Sequence, residues 1–233
     1  MNLPARPEPL TARGRRTRDA LLVAGRELFE TRGFNGTTAD DIADAAGVSH
    51  GTFYTWFTDK DALLRALVDS ELADAQQAFH VPDNITDPVA RITEANRRYL
   101  TTFASYAKLF QVVEEVATVD PYYRDLLISL RRDYVARIAT TISRLQSAGL
   151  VDVTLDAHVT ASALSAMVEG FGRHWLGRGE EHDAELAVTT LSRLWVHALG
   201  LGELSLPAGQ SIHTSQSMSS SPSLEVSDVA THV

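Results

Sequence analysis

His50, Gly51, Thr52, Tyr54 and Thr55 put hydrogen-bonding or small groups into a run interrupted only by Phe53. With Val48 before it and Phe57 after it, helical spacing sorts this stretch into an apolar side and a side of donors, acceptors and bare backbone. A surface of that kind fits the floor of a DNA groove, where base edges present their own donors and acceptors. The preceding stretch supplies what a crossing helix needs. Ala43 is small where two helices must approach, and Gly47 can take the angles of a tight turn without strain from a Cβ. The spacing therefore predicts a helix-turn-helix from about Thr38 to Phe57, with Val48, Phe53 and Phe57 filling the angle between its helices. Trp56 is open to either packing or DNA. Upstream, Arg13, Arg15, Arg16 and Arg18 crowd together without an intervening acid. Such a cluster fits a flexible arm that meets phosphate, and equally an ordinary solvated terminus.

These residues need elements to hold them. Apolar residues recur at three and four rather than alternating, and Gly and Pro fall between long periodic stretches, so the expected fold class is all-α with about nine helices. A first helix is expected over Thr17–Arg32, ended by Gly33. Thr37 or Thr38 caps the second, Ser49 the third, and Thr58 or Asp59 the fourth. Pro82 and Asn84 break the chain. Asp87-Pro88 then opens a helix to about Lys108, a shorter one covers Leu109–Val119, and Asp120-Pro121 opens another through Leu145. The last two run over Asp156–Leu176 and Asp183–Leu199. After Gly202, nine of the last 31 residues are serine, a composition that buries too little surface to offset its ordering entropy.

Gly47-Val48-Ser49-His50-Gly51-Thr52-Phe53-Tyr54 and Phe57-Thr58-Asp59-Lys60-Asp61-Ala62-Leu63-Leu64 resemble the N-terminal domain of the TetR family of bacterial transcriptional regulators. Over the rest of the chain the likeness is one of helix count, together with Met167-Val168-Glu169-Gly170 and Trp175-Leu176. The resemblance implies a cytoplasmic homodimer whose recognition helices sit roughly 34–36 Å apart, in successive major grooves of a near-palindromic operator on double-stranded DNA. It implies a repressor released by a small-molecule effector, apolar or amphipathic, bound in a C-terminal cavity. Residue by residue, the family's operator contacts fall on Thr38, His50, Gly51, Thr52, Tyr54, Thr55, Trp56 and Lys60. Tyr54 and Lys60 would meet phosphate, while His50 and Thr52 would meet base edges. The expected division is a flexible basic arm at 1–16, a three-helix helix-turn-helix DNA-binding domain at 17–62, a helical effector-binding and dimerisation domain at 63–202, and a disordered Ser-rich tail at 203–233.

In the larger domain, aromatic residues cluster from Tyr99 to Tyr134 and again at Phe171 and Trp175. Phe103, Tyr106, Phe110, Tyr122, Tyr123, Met167 and Phe171 would wall a ligand cavity, with Glu114, His174 or Arg98 orienting its contents; a filled helical core is the alternative. The resemblance to the family also implies that the last two long helices form the homodimer surface, as half of an intersubunit four-helix bundle.

Composition bounds the other function classes. The chain has no cysteine, which excludes disulfides, thiolate metal sites and cysteine nucleophiles. Neither a leader nor a membrane span is expected. The net charge of −9 lies wholly after residue 65, since residues 1–65 hold nine basic and nine acidic side chains. No G-x-S-x-G, H-E-x-x-H or glycine-rich phosphate loop marks an enzyme, and no cofactor or metal is expected. A partner-binding protein that keeps the helix-turn-helix as a scaffold is the remaining rival.

Overall fold

Helix α1 (Ala12–Arg32) begins at Ala12 rather than at Thr17. Thr11 caps it by accepting a hydrogen bond from the Gly14 amide at 3.1 Å. Arg13, Arg15 and Arg16 therefore stand on a helix with Arg18, and not on the flexible arm expected at 1–16. The computed structural model describes residues 11–201. The first ten residues of the expected arm and the expected tail at 203–233 lie outside the described residues. Among the described residues all regular structure is helical.

α1, α2 (Ala39–Ala45), α3 (His50–Trp56) and the start of α4 (Lys60–Ala78) enclose one core. Leu21, Phe29, Ile42, Phe53, Leu63 and Leu64 are fully buried, each worth roughly 1.5–3 kcal/mol relative to exposure in water. Gly25 lets α1 and α4 cross closely: a Cβ there would lie 2.4 Å from Leu63 Cδ2. α2 starts with a capping box in which the Thr38 hydroxyl and the Asp41 carboxylate each take the other's amide. Ser49 caps α3. Between them Gly47 has φ 66°, a left-handed conformation that costs other residues roughly 1–2 kcal/mol.

Asp87, Asp120, Asp156 and Asp183 cap the four helices that follow: α5 (Pro88–Ala117), α6 (Pro121–Ser147), α7 (Ala157–Gly172) and α8 (Ala184–Ala198). Two expectations are corrected here. α5 is one helix of 30 residues, with no break near Lys108. Residues 89–120 hold neither glycine nor proline, and Leu100, Phe103, Ala107, Val113 and Val116 keep a continuous buried stripe. The helix expected over Asp156–Leu176 instead widens into a π-helical segment at Arg173–Gly177, pinned by the Gln111 side chain donating to the Gly177 carbonyl.

α5 joins the two halves. Its C-terminal Val112, Val113 and Val116, with Tyr123 of α6, complete the core of α1–α4. Its Leu100 enters a second core with Val135, Ile142, Ala161, Val168 and Leu191. α7 lies on α6 and α8 lies on α5.

Candidate nucleic-acid interface

Phe53 and Phe57 point into the core at 0% and 2% exposure, and this orients the rest of α3 outward. His50, Gly51, Tyr54 and Thr55 are exposed and Thr52 is half-buried. The Nδ1 atom of His50 contacts the Asp40 carboxylate of α2, and its ring lies 4.7 Å from that of Tyr54. This contact engages Nδ1 and leaves Nε2 outside it. The Thr52 hydroxyl shares a 2.9 Å hydrogen bond with Ser49, and the Thr55 hydroxyl donates to the Gly51 carbonyl at 3.0 Å. A Cβ on Gly51 would meet nothing within 4 Å. The backbone is therefore bare toward the outside, where a groove wall can come close.

The flanking cations divide. Arg13 and Arg16 are exposed and make no ion pair among the described residues. Arg18 lies over the Phe57 ring at 5.8 Å, and Arg15 is likewise engaged within the chain. Trp56 is half-buried against the core, and a Cβ on Gly14 would stand 3.3 Å from its Cη2 atom. The first turns of α1 are thus held beside the end of α3. Thr38 is exposed, but its hydroxyl bonds to the Asp41 carboxylate at 2.5 Å.

Lys60 departs from the phosphate contact expected of it. Its Nζ donates to the carbonyls of Phe34 at 2.7 Å and Thr37 at 2.9 Å, and it lies 4.3 Å from the Phe34 ring centre. Burial pushes the ammonium pKa down. The turn after α1 brings the Phe34 and Thr37 carbonyls to the start of α4, and the ammonium donates to both.

The residues expected to wall one effector pocket separate into distinct places. Phe103, Phe110 and Glu114 line a cleft of about 440 Å³ between α5 and the π segment, with Tyr106 edge-on to Phe103 at 5.2 Å. Tyr123 is buried at the α4–α6 junction, donating to Asp61 at 2.9 Å, and Tyr122 lies under the Arg65 guanidinium at 4.0 Å. Both were misplaced because aromatic clustering along the chain carries no information on which side of α6 faces α4. Met167 and Phe171 line a different groove, between α7 and α8. His174 is exposed and pairs with Glu180 at 3.4 Å. Arg98 is tied to Glu94 at 2.6 Å.

Behind the cleft, Tyr99 stacks between Phe79 at 5.6 Å and Phe103 at 6.0 Å, and against Tyr134 at 6.1 Å. Burial raises the pKa of Tyr99, Tyr106 and Tyr134, the last to about 12, and the Glu169 carboxylate adds to each shift. These phenols stay neutral and keep their hydrogen-bond donors. Burial also raises Glu169, against the pull of Arg131 and Arg173, and Arg131 binds it directly. Sequence reasoning missed Arg131, Glu169, Arg173 and Arg178 as members of this region. One signal was present: Glu169 is a lone carboxylate in the apolar run from Ala166 to Phe171.

Comparison with known proteins gives the setting for this geometry. The model of bacterial regulatory proteins, tetR family, matches residues 21–67. The model of the C-terminal domain of BetI-type transcriptional repressors matches residues 104–200. The HTH-type transcriptional regulator EthR of Mycolicibacterium smegmatis is 27% identical over 200 residues, 81% of this chain and 92% of that protein. The regulator TtgR of Pseudomonas putida is 26% identical over 174 residues, 69% of this chain and 80% of its own length. Among solved structures, a TetR-family transcriptional regulator from Rhodococcus sp. has a TM-score of 0.60 at 26% identity, covering 79% of this chain and 99% of that one. Salmonella enterica GusR shares the fold, with a TM-score of 0.64 at 23% identity, 83% of this chain and 100% of its own. The two family models fall on the two cores joined by α5, and these relatives are regulators rather than enzymes. Among the described residues no helix is long and apolar enough to cross a membrane. Both halves of the chain match models of such regulators: this chain belongs to the TetR family and is a DNA-binding regulator of transcription.

Proposed function

We propose that the chain is a repressor acting as a homodimer, with one α3 from each copy in successive major grooves of a near-palindromic operator. The carrying observation is the division of α3, whose aromatic side is locked into the core while His50, Gly51, Tyr54 and Thr55 face out. His50 Nε2 and Thr52 are assigned to base edges, and the Tyr54 hydroxyl and the exposed Arg13 and Arg16 to phosphates. An apolar or amphipathic effector in the C-terminal half weakens operator binding, and by linkage the operator weakens effector binding.

The second copy docks on α7 and α8. These helices rest on different neighbours and leave a groove of about 560 Å³ lined by Met167, Phe171, Leu186, Leu191 and Leu194. Leu186 and Leu194 are 66% and 48% exposed, which suits an interface better than a solvated helix.

Selection of bound genomic fragments at moderate salt tests the reading. Enrichment of an inverted repeat, with half-sites about 10 base pairs apart centre to centre or a multiple of that, is expected. If only non-specific fragments are retained, the helix-turn-helix is a scaffold for another partner and the repressor reading fails.

A further inference from the structure

The cleft between α5 and the π segment has an apolar wall and a cationic rim. Phe103, Ala107 and Phe110 form the wall, and Arg173 and Arg178 stand at the rim opposite Glu114. The Arg178 guanidinium has no hydrogen bond or ion pair among the described residues. Arg173 has only a loose pair with Glu114, at 3.5 Å, and lies 5.5 Å from the Phe110 ring centre. The other carboxylate close by, Glu169, is already held by Arg131, so it is not free to bind a cation. Among the residues that line the cleft, two guanidinium groups face one carboxylate, while the nearby Glu180 carboxylate is taken up by His174 and His182.

The π segment builds this rim. Widening the helix after Gly172 turns Arg173 toward α5, and single-turn π-helices recur at functional sites. Gln111 fixes the segment through the Gly177 carbonyl, and a Cβ at Gly177 would fall 2.8 Å from Gln111 Nε2. The volume of about 440 Å³ is within the usual range for small-molecule sites.

We propose that this cleft binds an amphipathic anion, with its apolar body against Phe103, Ala107 and Phe110 and its acidic group at Arg178 and Arg173. The inference rests on the reading of this half of the chain as the effector-binding half, and it names the effector's class. A fork of guanidinium donors suits a carboxylate or a phosphate ester in a way that an ammonium head cannot match.

The test is calorimetric titration of the full chain with two acids, decanoate and 2-naphthoate. Each is compared with its uncharged counterpart, decanol or 2-naphthol, below the micellar limit. At least one acid should bind about tenfold or more tightly than its neutral partner. Arg178→Glu, at an exposed position, should erase that preference with an unchanged Tm. The inference is overturned if neither acid outbinds its neutral counterpart, or if Arg178→Glu leaves the preference intact. Adding the same acids to the operator complex separates the two readings. Anion binding without DNA release keeps the cleft assignment and removes its role as effector site. DNA release by neutral compounds alone keeps the repressor and discards the anion.

Discussion

At the scale of single residues, Lys60 marks where a cation's role depends on partners that folding supplies. Its position beside Phe57-Thr58-Asp59 made it a phosphate ligand by resemblance, yet its ammonium binds the Phe34 and Thr37 carbonyls. Lys60→Met keeps most of the stem and removes the charge. It should cost about 1–3 kcal/mol of stability, because two half-buried carbonyls lose a charged donor. Its operator affinity, measured where the variant is fully folded, should fall equally for every operator sequence and by less than the loss for Tyr54→Phe. Urea denaturation and binding to operator variants give the two numbers; full stability combined with a large loss of affinity would return Lys60 to the phosphate. Phe53 and Phe57 were legible from spacing alone, since helical periodicity fixes which side is apolar. The partners of Lys60 were not, because they come from a turn more than 20 residues away in sequence.

At the scale of elements, the caps were the most legible features. Asp87, Asp120, Asp156 and Asp183 each start a helix where an aspartate at a periodicity change predicts one. Three features were not legible. The Thr11 cap was hidden under the charge of the arginines that follow it. The π segment has no local signature, being held by a glutamine from another helix. The continuity of α5 was obscured by a change in the character of its buried face, from aromatic to aliphatic, near Lys108. That continuity matters because one rod carries the cleft wall at Phe103 and Phe110, accepts Arg26 of α1 on the Ser105 carbonyl at 2.6 Å, and meets Asn35 through Glu115 at 3.3 Å. In the proposed reading, a shift at the cleft would be carried along this one rod to the DNA-binding end. Lys108 is exposed and lies mid-helix, so Lys108→Gly should be about 1 kcal/mol less stable than Lys108→Ala. Thermal or urea unfolding measures this difference. A glycine variant as stable as the alanine variant would mean that residue 108 is a hinge and that α5 does not act as one rod.

At the scale of the whole molecule, affinity for a polyanion has to be assembled against a net charge of −9. α3 holds no lysine or arginine, and the acidic excess lies entirely after residue 65. Two heads joined at a fixed spacing are the physical remedy, because the second head then binds at a high effective concentration rather than from bulk solution. The α7–α8 groove supplies the joint in this reading, and exposed leucines there can be altered without opening either core. Leu194→Glu buries a carboxylate against its own copy only when two chains meet, so the folded monomer should keep its helical content while the dimer is lost. Light scattering should report one chain of about 25 kDa, and operator affinity should fall by about 10²–10⁴, while the weaker binding of an isolated half-site is retained. A variant that stays dimeric would move the interface away from α7 and α8. A monomer that still binds the whole operator as tightly as the native chain would show that the two heads do not act together.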